Sequence, residues 1–145
     1  MQNFKITIQY DGTDYHGWQV QANGRTIQGE LTRVLSLLDG RDVTVHGAGR
    51  TDAGAHAEGQ VASFFLDRSF DSLLLRDAIN GNLNRDIRIV EAHPVDDSFH
   101  ARFSARTKFY RYRIWNDAVV PPFVCRYVYH HRDRLDVDAM RLAAA

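Results

Sequence analysis

Between residues 3 and 92 the apolar residues change their spacing in an order that few folds accommodate. Phe4, Ile6 and Ile8 alternate with Lys5, Thr7 and Gln9, the period of a half-buried strand. From Thr26 the spacing turns helical, with Ile27, Leu31, Val34, Leu35 and Leu38 on one stripe, Thr26 as N-cap and Gly40 as the stop. Val43 and Val45 alternate with Thr44 and His46, and Val61, Ser63 and Phe65 with Ala62, Phe64 and Leu66, giving two strands expected to pair across the loop between them. Ser69 is placed to cap a helix carrying Phe70, Leu73, Leu74, Asp77 and Ile79, and 87–92 is the next strand. The order β-α-β-β-α-β predicts an α+β, ferredoxin-like sheet with both helices on one face. Leu31, Leu35, Leu73 and Leu74 are its expected core helix positions.

Around this frame, 11–25 is rich in Gly, Asp, Asn and Gln, a long loop of the kind that is either functional or disordered, and Trp18 argues against disorder. Tyr15 and Trp18 either meet a ligand there or pack onto the sheet. Residues 107–115 alternate again, Pro121-Pro122 marks a turn before a strand near 126–130, and a last helix opens at Asp136. The run LDVDAMRLAAA stops without a C-cap, as expected of a piece of a longer chain. The expected division is 1–105 as an N-terminal ferredoxin-like domain and 106–145 as the first strands and helix of a truncated second domain, the start of a second α/β half.

A chain of 145 residues can bury a real core, and no apolar run is long enough to span a bilayer. MQNFKITIQYDG lacks the basic start and apolar stretch of a signal peptide, so no membrane association and a cytoplasmic location are expected. The single cysteine, Cys125, is expected as a core or half-buried thiol. His16, His46, His56, His93, His100, His130 and His131 form no metal-ligand spacing, so no metal site is expected. Eighteen basic and eighteen acidic residues cancel, and whole-chain charge says nothing about nucleic acid. Their distribution does. Residues 99–116 carry five Lys/Arg, no acid and six aromatic rings, whereas 66–97 carry seven acids against four bases. A cationic, aromatic stripe suits phosphates and unstacked bases, and it equally suits a twisted strand with an arginine-rich polar face.

The segment HGAGRTDAGAHAEG sets Arg50 and Asp52 two residues apart among four glycines, which admit left-handed backbone and close approach of another molecule. Neither GxxxxGK[ST] nor GxGxxG is present for a phosphate cradle, and GxSxG is absent for a nucleophile elbow. A tight turn in which Asp52 caps a backbone N–H is the plain structural alternative.

Taken together, YDGTDYHGWQ (10–19), GRTDAGAHA (49–57) and FHARFSA (99–105) resemble the tRNA pseudouridine synthase A family, over essentially the whole chain. The resemblance implies isomerisation of uridine at positions 38–40 of the tRNA anticodon stem-loop, by a homodimer, without metal or cofactor. It implies Asp52 as the catalytic aspartate, Arg50 as the arginine that helps flip the base, and Tyr110 as the tyrosine packed on the uracil. Phe99, His100, Ala101, Arg102 and Phe103 match a stretch that contacts tRNA. The chemistry suits such a set. The C1′–N1 bond breaks, the base turns, and C1′ joins C5, so the base must first leave its stack. The carboxylate either attacks C1′ or removes a C2′ proton, and both routes need it ionised. Members of the family are longer and supply a basic partner for the aspartate from their second half, so these residues alone are expected to have little or no activity. Two rivals stand beside this reading. A non-catalytic RNA-binding module shares the β-α-β-β-α-β order, although the RNP strand signature is missing. A hydrolase using Asp52 needs an activated water and a second acid or a metal, and no partner carboxylate is apparent in the sequence.

Overall fold

The computed structural model describes residues 1–144, which divide into two compact units, the first Met1–Arg106 and the second beginning at Thr107. In the first, β1 (Gln2–Tyr10), α1 (Ile27–Asp39), β2 (His46–Gly47), β3 (Ala57–Leu66), α2 (Ser72–Asn82) and β4 (Ile87–Pro94) follow in the expected order. The strands form one antiparallel sheet, β2-β3-β1-β4, the ferredoxin-like arrangement. Phe4, Ile6, Ile8 and Tyr10 point to one side of β1, where Ile27, Leu31, Val34 and Leu35 of α1 and Leu75 and Ile79 of α2 cover them. The opposite face carries Lys5, Thr7 and Gln9, away from α1 and α2.

The caps of α1 are those read from the sequence. The Thr26 side chain accepts from the Gly29 N–H, and Gly40, at φ 78°, ends the helix. The start of α2 differs, because Asp71 rather than Ser69 is the N-cap, its carboxylate accepting from Leu73 and Leu74. Starting there, the helical period turns Leu75 and Ile79 to the sheet and leaves Leu73 and Leu74 outside, 61% and 68% exposed, so these two are not core. The strand expected at 43–46 is confined to His46–Gly47. Val43 and Val45 are buried, but the Val43 N–H donates to Ser36 Oγ and the Val45 carbonyl accepts from Gln28 Nε2. Side chains of α1 have taken backbone groups that a ladder would need.

Asp39 closes the far end of α1. Its carboxylate is fully buried, accepts from the Asp67 and Arg68 N–H groups and pairs with Arg41 at 2.7 Å. Burial alone would raise its pKa; the Arg68 and Asp67 amides and the Arg41 guanidinium outweigh it and hold the carboxyl below its usual range. A depressed carboxylate stabilises the fold above its unfolded pKa, and that contribution fades as pH falls through the folded value. Wild type should therefore lose stability below about pH 4, and Asp39→Asn, less stable at pH 7, should show a shallower acid loss in urea melts at successive pH values. Parallel pH profiles would rule this out.

In the second unit, β5 (Ile114–Asn116) pairs in parallel with β6 (Tyr129–His131), a 3₁₀ turn spans Cys125–Tyr127, and α3 (Val137–Ala143) starts at Asp136, whose side chain caps Ala139. The strand expected over 107–115 is ordered as a strand only from Ile114, where β6 supplies a ladder partner. The strand expected near 126–130 begins at Tyr129. Cys125 is exposed rather than core, its thiol donating to the Pro122 carbonyl from the short 3₁₀ turn. No helix among the described residues is long and apolar enough to cross a membrane.

Candidate active site

The loop between β2 and β3 is held in place before any ligand arrives. At its base the Ala48 N–H donates to the Val61 carbonyl and Gln60 Nε2 to the Gly49 carbonyl. At its middle the Tyr10 hydroxyl and Thr51 Oγ1 share a hydrogen bond of 2.8 Å, and the Thr51 carbonyl accepts from the Trp18 N–H. The chain then turns over 52–55, with the Ala55 N–H donating to the Asp52 carbonyl and the Gly54 N–H donating to the Tyr15 carbonyl. Asp52 and Arg50 are both exposed on this loop. Asp52 is therefore presented to solvent by backbone fixed on either side of it.

The partner in this clamp is the long loop 11–25, which packs onto the sheet as its buried Tyr15 and Trp18 require. Two glycines permit the approach. Gly17 has φ +83°, and a Cβ there would lie 2.5 Å from the Thr51 carbonyl oxygen. A Cβ on Gly47 would meet the Trp18 ring at 2.5 Å. The outer end of the same loop is fastened by charge. The Tyr15 hydroxyl donates to Asp86 at 2.8 Å, and Arg25 lies 4.6 Å from the centre of the Tyr15 ring while pairing with Glu30 at 3.0 Å and Asp86 at 3.5 Å. Burial, then the bond to Asp86, raises the Tyr15 phenol, and burial raises Tyr10 against the lowering bonds from Thr51 and Gln60. Both hydroxyls keep their protons at neutral pH.

The segment 99–104 is a turn laid on the face of the sheet away from α1 and α2. Asn3 Nδ2 donates to the Asp96 and Phe99 carbonyls, and the buried Ala101 N–H donates to Ser63 Oγ. Ala101 thus holds the turn down, Phe99 and His100 are half-buried, and Arg102 and Phe103 stand exposed, Phe103 at 79%. Tyr110 belongs to the second unit and is 73% exposed. Asn3 and Ser63 went unread in the sequence. The signal available was a polar residue at a position where the strand pattern continued on its apolar neighbours, as Ser63 does among Val61, Ala62, Phe64 and Phe65.

The first unit is thus a ferredoxin-like sheet with α1 and α2 over one face and the 99–104 turn on the other, and it holds the exposed carboxylate of Asp52 out on a clamped loop. The family is named by comparison. Residues 6–104 match the family model described as tRNA pseudouridine synthase, and the chain belongs to that family. Among curated relatives, tRNA pseudouridine synthase A of Brachyspira hyodysenteriae is 46% identical over 133 residues, 91% of this chain and 53% of that protein. The protein of the same name from Bacillus sp. strain KSM-64 is 44% identical over 141 residues, 97% of this chain and 58% of that one. That from Moorella thermoacetica is 48% identical over 147 residues, all of this chain and 60% of that one. The chain spans somewhat more than half the length of these relatives.

Proposed function

We propose that the complete protein isomerises uridine to pseudouridine at positions 38–40 of the tRNA anticodon stem-loop, in the cytoplasm, as a homodimer and without a metal or cofactor. The observation that carries this reading is that the exposed, clamped Asp52 lies in the stretch matching the tRNA pseudouridine synthase family. In this reading Asp52 is the catalytic carboxylate, attacking C1′ or taking the C2′ proton. Arg50, on the same exposed loop, assists extrusion of the uridine, and Tyr110 offers its ring to the freed uracil. Phe99, His100, Ala101, Arg102 and Phe103 form the tRNA-contacting turn, in which the exposed Arg102 and Phe103 supply charge and a stacking face. Residues 1–105 form the N-terminal domain with the catalytic loop, and 106–145 open a second domain whose remainder supplies the basic partner of Asp52.

The test uses tRNA tritiated at uracil C5, because that hydrogen leaves only when C5 forms the new glycosidic bond. The complete protein should release label from substrate bearing uridine at 38–40 and not from substrate with cytidine there. Release that persists without those uridines, or no release at all, overturns the assignment.

A further inference from the structure

Register across the sheet places His46 of β2, Ser63 of β3, Lys5 of β1 and His93 of β4 in one transverse row on the face away from the helices. The turn 99–104 sits on Ser63 through the Ala101 N–H, and this sets His100 against His46 with ring centroids 4.6 Å apart. Phe103 lies against His100 at 4.5 Å with the rings tilted by 34°, and the Arg102 guanidinium lies 5.9 Å from the Phe103 ring centre. His100 Nδ1 accepts the Arg102 N–H at 3.2 Å. His46 has no such commitment and is exposed.

The groups facing His46 are basic or neutral. Lys5 and His93 share its row, and His100 comes from the turn. Glu91, on the same face, accepts from Thr7 and lies 3.9 Å from His93. Of the acids before the turn, Asp96 is bound by the Ser98 N–H and hydroxyl, and Asp97 is exposed. Partial desolvation, then the neighbouring His100, holds the His46 imidazole below its ordinary pKa and so favours its neutral form in the free protein. An anion settling beside the pair offsets the repulsion between the imidazoles and favours the charged form of His46.

We infer that His46 is a further contact for the tRNA backbone, taking up a proton as a phosphodiester settles against the paired imidazoles and Arg102. The inference rests on the reading that the turn 99–103 meets tRNA. Because the complex then holds more protons than the free partners, affinity rises as pH falls.

Equilibrium binding of tRNA to the complete protein at fixed salt, from pH 8 to pH 6, should tighten by about five- to tenfold, with uptake of up to about one proton measured by calorimetry in buffers of different ionisation enthalpy. His46→Phe keeps a ring against His100 and cannot be charged, so it should lose the uptake and most of the gain at pH 6. His46→Arg, with a permanent charge, should bind at pH 8 about as tightly as wild type binds at pH 6. Proton uptake in His46→Phe equal to wild type overturns the proposal, and so does a His46→Arg variant no tighter than wild type at pH 8. Arg102→Ala separates the two levels: affinity unaltered at every pH removes the reading of the turn and the His46 proposal with it, whereas weakened binding with a pH-independent wild type removes the proposal alone.

Discussion

Asp52→Asn in the complete protein should bind tRNA and fail to convert it, with C5 tritium release lowered by on the order of 10⁴-fold or more. The substitution keeps the shape of the side chain and removes the charge that either route requires. Asp52 supports the loop through its main-chain carbonyl, which accepts from Ala55, and its side chain is exposed, so the amide leaves the scaffold standing. On the proposed reading, tRNA affinity comes chiefly from cations on phosphates, Arg102 of the exposed turn among them. Single-turnover assays at saturating tRNA, with a binding isotherm beside them, separate the two quantities. An Asp52→Asn protein that turns over like wild type reduces Asp52 to a turn residue. A folded variant that loses binding as well assigns the loop to recognition.

Trp18→Ala should be the most damaging core substitution near the site, costing about 3–5 kcal/mol against the roughly 5–15 kcal/mol that stabilises a typical domain. The indole is 2% exposed, its centroid lies 6.3 Å from that of Tyr10, and it fills the space opened by the missing side chain of Gly47. Its main chain adds a second role, donating to the Thr51 carbonyl and accepting from the Gln28 N–H, so the residue joins the Asp52 loop to the first turn of α1. Calorimetry of the complete protein should show the main transition displaced downward by 10 °C or more, about what such a loss implies. Turnover should fall even at temperatures where the variant is folded, because Thr51 and Asp52 lose their fixed neighbour. Trp18→Phe, which restores most of the apolar volume, should recover much of both. A Trp18→Ala protein with wild-type melting and turnover would show that the loop 11–25 bears no load.

Much of the fold was legible because the relevant forces act over a few residues. Alternation marked β1 and β3, and Thr26 and Gly40 bounded α1 because an N-cap oxygen and a left-handed stop act within one turn of the helix they limit. The loop bearing Arg50 and Asp52 was legible for a different reason, since its residues stand consecutively in the chain and its motif needs no partner to be read. Where local signals competed, the sequence reading slipped. Two oxygen-bearing residues, Ser69 and Asp71, stood at the start of α2, and the carboxylate that reaches two amides won.

What the sequence by itself determined, then, is the order of strands and helices, the limits of α1, and the loop bearing Arg50 and Asp52. Only the tertiary structure decided which side chains those elements bury and which groups meet. Leu73 and Leu74 face out while Leu75 and Ile79 face in, and residues 107–113 alternate like a strand yet lie outside any ladder, because no neighbouring strand pairs with them among the described residues. Tyr15 and Trp18, open to either fate in the sequence, are buried by a loop that two glycines allow to close. Asn3 reaches Asp96 and Phe99 across 93 and 96 residues, and Ser63 reaches Ala101 across 38. The meeting of His46 with His100 follows from those distant bonds. Spacing in a sequence reports which face of an element a residue shares, and the partner on that face is chosen by chain that returns from far away.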